Sequence, residues 1–469
     1  MAEICNELLR ALENAVGSEY MAYGEAVGAD YGHDELAGGV AHMPAAVVQA
    51  GSTEEVSAVL RLCSAAGVPV TPRGAGTGLA GGSVPLSGGV VLSLGRMNRV
   101  LGFDEDSLSL RVQPGVLLSE LKAEAESRGL RYPPDPGEKT ATIGGNVSTN
   151  AGGPSAVKYG VTRNYITGAV VVLPSGEVLT LGGAAGKNSS GIDLLQLIIG
   201  SEGTLGVVTE LTVRLIPRAK CDVSLILPFM DADSCIRAAS RIRREGFQPA
   251  ALEFLDTDIV EFAGKASGNP VFPVEMDGER VGASLLLTLE GGSDDELDAR
   301  MEALAELAEE LECLDILVVD SPTLKREVWG AHEAFHTAVE GAAKSSDELN
   351  MAVPVGSMAA FVDYVKEQGA AEGLGVYAYG HAGDGGLHIY VCSDMGREEF
   401  TPVMEKLADL AYARCLELGG VVSSEHGVGY AKCKYLRESL GEAGYALLGR
   451  LKAAFDPGNI LNPGKIFGD

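Results

Sequence analysis

Residues 72–85 read Pro72-Arg73-Gly74-Ala75-Gly76-Thr77-Gly78-Leu79-Ala80-Gly81-Gly82-Ser83-Val84-Pro85, and five of the fourteen are glycine. Glycine at this density lets the backbone take positive φ and come close to a ligand. Successive exposed N–H groups then make a concavity suited to pyrophosphate. Val68-Pro69-Val70 precedes the loop, and 84–94 patterns as a turn and then a strand. A dinucleotide fingerprint of the strand–turn–helix kind needs an amphipathic helix at that point. None follows, which excludes that arrangement and leaves a phosphate-cradling loop between two strands.

Two later stretches share this character. The segment Thr140-Ala141-Thr142-Ile143-Gly144-Gly145-Asn146-Val147-Ser148-Thr149-Asn150-Ala151-Gly152-Gly153 is uncharged and rich in hydroxyls, and reads as a second long loop behind Pro133-Pro134-Asp135-Pro136-Gly137. A third, Gly200-Ser201-Glu202-Gly203-Thr204-Leu205-Gly206-Val207, leads into a strand at 211–217. Ordering such segments costs conformational entropy, and loops of this kind tend to carry ligands. All three lie between residues 72 and 210, placed to wrap one elongated ligand.

Around the loops the pattern alternates. A helix is expected from Ala2 to Val16. Ser52-Thr53-Glu54-Glu55 suits a helix start with an acidic first turn, and Val56, Val59, Leu60 and Cys63 continue it at helical spacing. At 469 residues the chain exceeds one core, and Pro217-Arg218-Ala219-Lys220 marks a boundary. Beyond it, strands at 222–228, 250–255 and 282–290 alternate with helices at 232–245 and 294–312, predicting a second domain with an antiparallel sheet and helices on one side. From about Gly419 the chain changes into a glycine-bracketed motif, a helix and a proline-punctuated tail.

A net charge of −29 argues against nucleic-acid binding. No apolar run reaches the roughly 20 residues of a membrane span, and residues 1–7 lack the features of a secretory signal. The eight cysteines form no Cys-x-x-Cys pair, which points to reduced thiols in the cytoplasm and no iron–sulfur cluster.

Chemistry concentrates in the last hundred residues. In Gly380-His381-Ala382-Gly383-Asp384-Gly385-Gly386-Leu387-His388 the histidines are seven apart, a spacing that on one straight strand sends them to opposite faces. The intervening Gly-Asp-Gly-Gly permits a chain reversal that brings both imidazoles to one place. Ser424-Glu425-His426-Gly427-Val428-Gly429 sets a carboxylate beside an imidazole. His381, His388 and Glu425 make a divalent-metal set that leaves positions open for substrate. His426 is then the general base, with an ordinary pKa of about 6.5.

Together these motifs resemble the vanillyl-alcohol-oxidase-type flavoproteins, in particular the FAD-linked D-2-hydroxyacid dehydrogenases, which include D-lactate dehydrogenases, the glycolate oxidase catalytic subunit and D-2-hydroxyglutarate dehydrogenase. The resemblance runs from Pro44 to Lys465, and its last part is Phe455-Asp456-Pro457-Gly458-Asn459-Ile460-Leu461-Asn462-Pro463-Gly464-Lys465. It implies an α+β fold: an FAD-binding domain over 1–218, an inserted α/β substrate (cap) domain over 219–418, and a segment over 419–469 that returns to complete the FAD domain and active site. It assigns the FAD pyrophosphate to the first loop, with Arg73, Gly74, Ala75, Gly76, Thr77, Gly78, Gly82 and Ser83. The flavin and ribityl region falls to Thr142, Gly144, Gly145, Asn146, Ser148, Thr149, Asn150, Gly152 and Gly153, and to Glu202, Gly203, Gly206 and Val207. Pro134, Asp135 and Asn462 complete the cofactor-binding set.

The resemblance also implies a divalent ion (Zn, Fe or Mn) on His381, His388 and Glu425. His426 takes a proton while hydride leaves C2 of a D-2-hydroxy acid, D-lactate or a near relative, for flavin N5. Family members usually carry Asn where this chain has Gly386. Many also carry Arg three residues after a tryptophan, to clamp the substrate carboxylate; Trp329-Gly330-Ala331-His332 puts His332 there. Lys432 and His336, one helical turn beyond His332, are further anchors for that carboxylate. The hydroxyglutarate branch's lysine falls near Glu348, which argues against a second substrate carboxylate. Similarity over 329–354 to lactate dehydrogenases that work with an electron-transferring flavoprotein implies such an acceptor. The alternative is a flavin-binding electron-relay or scaffold subunit, which needs neither the histidine pair nor Glu425-His426. A homo-oligomer is left open.

Overall fold

The computed structural model describes residues 4–268 and 270–468; Ala2, the expected start of the first helix, lies outside them. Two compact units emerge: one of Met1–Ala151, Val161–Arg218 and His426–Asp469, the other of Gly152–Gly160 and Ala219–Glu425. The chain passes from the second unit into the first at His426, later than the change of pattern near Gly419. Residues 419–425 stay with the second unit because Val421 bridges Ala352 and Asn350 Oδ1 accepts from the Ser424 and Glu425 N–H groups.

In the first unit a four-stranded sheet runs in the order Met21–Tyr23, Ala46–Gln49, Val90–Ser93, Val70–Arg73. The last three strands are parallel. The helix Thr53–Ala66 packs on it, its N-terminus capped by Ser52, whose Oγ accepts from the Glu55 N–H. Val56, Val59, Leu60 and Cys63 form its buried stripe, in one cluster with Val48, Val70 and Leu92. The glycine loop spans Val70–Arg73 and Val90–Ser93 with no helix between. A second, antiparallel sheet holds Val207–Arg214 at its centre.

The C-terminal segment closes this unit. Leu461 bridges Val70, and Ile460 and Leu461 are buried in the same cluster. The buried Lys452 ammonium donates to Thr204 O and Leu461 O, 2.8 Å each, and to the Asp456 carboxylate.

Residues 140–153 are not one long loop. Ile143–Thr149 is helical, with Thr142 accepting from the Gly145 N–H at the start and Asn150 in the left-handed conformation at the end. Tertiary pairing overrides the weak helix propensity of its glycines: the Ile143 and Gly144 N–H groups donate to Val116 O and Pro114 O.

The second unit is built on a seven-stranded sheet in the order Leu317–Val319, Cys221–Phe229, Ala283–Gly291, Ala251–Asp256, Gly375–His381, Gly386–Ser393, Ser345–Ala352. Every neighbouring pair is antiparallel. The expectation of helices on one side fails. Neighbouring residues Val376 and Tyr377, which face opposite ways, meet Gly369 of the helix Met358–Ala371 and Phe262 of the helix Thr257–Ser267. One face meets Ile259, Val260, Phe335 and Val339 from helices crossing it.

Candidate active site

The first loop is organised around Arg73. Its buried guanidinium donates to His33 O at 2.8 Å and to Ser83 Oγ at 3.4 Å, and Ser83 donates in turn to Asp34. Burial lowers the Arg73 pKa against the pull of Asp34. Gly76 sits at φ +83°, and a Cβ there would overlap that guanidinium, so only glycine fits the turn. Gly74, Ala75, Thr77, Gly78 and Gly82 lie along the same loop.

The other members of the cofactor set fall into two kinds. Ser148 and Thr149 hydroxyls donate back along their own helix, to Gly144 O and Gly145 O, and Asn150 Oδ1 accepts from the Arg163 N–H. Val207 packs in the core, and Asp135 is exposed and paired with Lys122. The Asn462 amide donates to Gly82 O and Glu202 O, 2.8 Å each, and so ties the first loop to the third. Glu202 accepts through its carboxylate from the Val428 and Gly429 N–H groups at 2.8 and 2.7 Å. Burial raises its pKa; those two donors and Lys432 oppose the rise. Lys432 is itself buried, just before Cys433–Phe455, a pair of helices broken at Gly441. Asn146 differs: its Nδ2 is buried with no hydrogen-bond partner among the described residues. A wasted amide of this kind costs roughly 1–3 kcal/mol, which a ligand acceptor would return. With the glycine turn, this donor fits FAD.

In the second unit, Ala382–Gly385 turn the chain between Gly375–His381 and Gly386–Ser393, and Tyr379 lies directly opposite His388. Side chains two apart share a face, so His381 and His388 project together. Their rings are 5.5 Å apart at 89°, and Tyr379 stacks on His388 at 4.7 Å. Both Nε2 atoms face one Glu425 oxygen, at 3.5 Å from His381 and 3.1 Å from His388. Burial opposes charge on both imidazoles, yet the carboxylates outweigh it: His381 is held well above the usual range and His388 reaches about 9. Burial would raise Glu425, but the two imidazoles hold it well below an ordinary carboxylate. The three ligand atoms lie within 4.8 Å of one another. Two buried nitrogens and one carboxylate oxygen at that span fit a divalent cation.

Three neighbours carry no motif. Glu253 lies cross-strand from His381 and accepts from its Nδ1 at 2.9 Å. Glu348 accepts from His388 Nδ1 at 2.7 Å. Asn350, opposite His388, holds the Ser424-Glu425 backbone. His332 stands away from the role its position implied. It is 5% exposed, with Nε2 3.2 Å from Glu253 and its ring against Trp329, Phe335 and Tyr379. The helix ends at Glu333 and a new one begins at Phe335, so His336 is not one turn beyond His332 on the same helix. It lies 3.4 Å from Glu340 instead. Gly386, where the resemblance implies Asn, has no room for a side chain: a Cβ would sit 2.7 Å from Ser424 Oγ and 3.1 Å from His381 Cδ2.

Comparison with known proteins matches this layout. Residues 44–182 match the FAD binding domain family, and 218–466 match the C-terminal domain of FAD linked oxidases. A D-lactate dehydrogenase of Anaerostipes hadrus is 46% identical over 444 residues, 94% of each chain. The chain belongs to the FAD-linked D-2-hydroxyacid dehydrogenases. Among the other family members, the glycolate oxidase subunit GlcD of Bacillus subtilis is 37% identical across 91% of this chain and 89% of its own. A structure of p-cresol methylhydroxylase with substrate bound superposes with a TM-score of 0.81 at 17% identity, covering 99% of this chain and 97% of that one, and so shares the vanillyl-alcohol-oxidase-type fold. This family member is an FAD-dependent enzyme that oxidises a D-2-hydroxy acid. No helix among the described residues is long and apolar enough to cross a membrane.

Proposed function

We propose that the substrate is D-lactate or a near relative, that the oxidation is assisted by a divalent cation on His381, His388 and Glu425, and that His426 is the base. The observation that carries this reading is the convergence of both histidine Nε2 atoms on one Glu425 oxygen, with His426 the next residue in the chain. FAD, when bound, supplies the two-electron acceptor and the cation a Lewis acid that acidifies the substrate hydroxyl. His381, His388 and Glu425 hold the hydroxyl-binding centre in place through the sheet and through Asn350. His426 takes the hydroxyl proton on its imidazole, the usual side chain for general-base work near neutral pH. Arg73 and the glycine turn orient the first loop, and Asn146 offers its amide to the cofactor.

The name of the Anaerostipes relative supports lactate. The similarity over 329–354 supports an electron-transferring flavoprotein as acceptor. Anaerobic photometry of the yellow protein with a panel of D- and L-2-hydroxy acids tests the reading. Bleaching by D-lactate before its L-enantiomer is the expected result. A flavin that no D-2-hydroxy acid reduces would leave the relay role in its place.

A further inference from the structure

We infer that Glu253 and Glu348 are positioning residues that grip His381 and His388 from behind and aim their Nε2 atoms at the metal position, with His332 acting through Glu253. The inference rests on the metal reading above and extends it outward.

The sheet lays the groups out in a row. Glu253 pairs with His381 across adjacent strands, His381 pairs with Gly386 and Tyr379 with His388, and His388 pairs with Asn350. Glu348, two residues before Asn350, shares its face. Each histidine therefore has one nitrogen toward Glu425 and the other on a carboxylate of its own, 2.9 Å away for Glu253 and 2.7 Å for Glu348. A carboxylate accepts only, so Nδ1 of each ring carries a hydrogen, and the neutral ring that binds a metal then presents its lone pair on Nε2. His332 completes the set by donating from Nε2 to Glu253 at 3.2 Å.

Folding alone does not account for this arrangement. Glu253 is 0% exposed in the middle of the sheet, and an apolar residue at such a site is commonly neutral or stabilising relative to a buried ion pair. Glu348 repeats the device on the other histidine, from another strand. Two carboxylates placed on the far nitrogens of two converging imidazoles are what ligand orientation requires.

The test measures metal binding, not turnover. The FAD-loaded protein is stripped with chelator and titrated with cobalt(II), read in the ligand-field bands beyond flavin absorption and by metal content after dialysis. Glu253→Gln and Glu348→Gln are each expected to weaken binding 10–100-fold and to shift the cobalt bands, in protein that is still folded by circular dichroism. His332→Phe keeps a ring against Trp329 and Phe335 and is expected to weaken binding less. It should add nothing in a Glu253→Gln background, because it acts through that carboxylate. If Glu253→Gln fails to fold, Glu348→Gln carries the same test from a different strand. Wild-type affinity and spectrum in the folded variants would overturn the inference while the metal reading stands. A wild-type protein that takes up no cobalt would overturn both.

Discussion

Glu202 offers the sharpest test of how the first unit holds the segment that begins with His426. Its carboxylate accepts two backbone N–H groups, from Val428 at 2.8 Å and Gly429 at 2.7 Å, and the residue is 7% exposed. Glu202→Ala leaves both donors without that acceptor. Each buried unsatisfied donor costs about 1–3 kcal/mol, and relief of the desolvated carboxylate, whose pKa burial has raised, returns part of this. The net expectation is a loss of about 2–4 kcal/mol. Glu202→Gln keeps one acceptor oxygen and sets an NH2 against the other donor, so it should lose about half as much. His426 lies two residues before Val428, so slack here also displaces the base, and a misplacement of about 1 Å costs on the order of 10²-fold in rate. Urea unfolding reads the first effect and stopped-flow flavin reduction the second. Glu210→Ala, at a partly exposed surface pair with Arg111, is the control and should change stability by no more than about 0.5 kcal/mol. Glu202→Ala behaving like that control in both assays would refute the reasoning.

His426→Ala should keep FAD bound and slow flavin reduction by roughly 10²–10⁴, the usual worth of a general base; an unchanged rate removes His426 from the mechanism. Chelation should abolish turnover and added Zn, Fe or Mn restore it, whereas full activity in a metal-free sample contradicts the site. Gly386→Ala forces a methyl to 2.7 Å from Ser424 Oγ and should cost about 1–3 kcal/mol and loosen metal retention, both read by calorimetry with and without metal. In FAD-free protein, burial holds Lys465 down at about 8, against Asp34 and Glu202, while the unfolded chain titrates near 10.4. The unfolded state therefore binds the extra proton between those values, and Lys465 makes stability rise with pH from about 8 to 10.4, by up to about 3 kcal/mol. Urea unfolding at the two ends, compared with Lys465→Met, checks it; an equal slope in both proteins says another group is responsible.

What the sequence made legible, and what it did not, follows from the range of the interactions. The glycine turn and the strand after it are local, and the absence of a helix there is read directly from residues 84–94. The histidine pair was legible because four residues of turn chemistry lie between them, enough to fix a hairpin. Helix Ile143–Thr149 was hidden, because its stability comes from Pro114 and Val116 and not from its own glycines. Glu253 and Glu348 were hidden for a stronger reason. Each shares its strand with a second acid, Asp256 or Asp347, and carries no motif of its own; only cross-strand register, which joins residues 128 and 40 positions apart in the chain, brings it to a histidine. His332 shows the opposite hazard: its sequence position suggested contact with substrate, while its surroundings turn its polar edge to Glu253.

The charge of the second-unit cluster is compatible with the proposed cation. Buried Glu253 and partly buried Glu348 and Glu425 bring three carboxylates to three imidazoles, and neutral rings would leave the cluster with three uncompensated negative charges. Buried charge of that size is tolerated only when balanced. Protons on the rings are one solution, and the raised pKa values of His381 and His388 show the pull toward it. But protonated rings cannot act as ligands, and both Nε2 atoms are already crowded onto the same Glu425 oxygen. A single divalent ion at that point substitutes for two protons at no change in total charge and gives each nitrogen a ligand's role. In the second solution Glu253 and Glu348 accept the Nδ1 hydrogens while both Nε2 atoms are left for the ion.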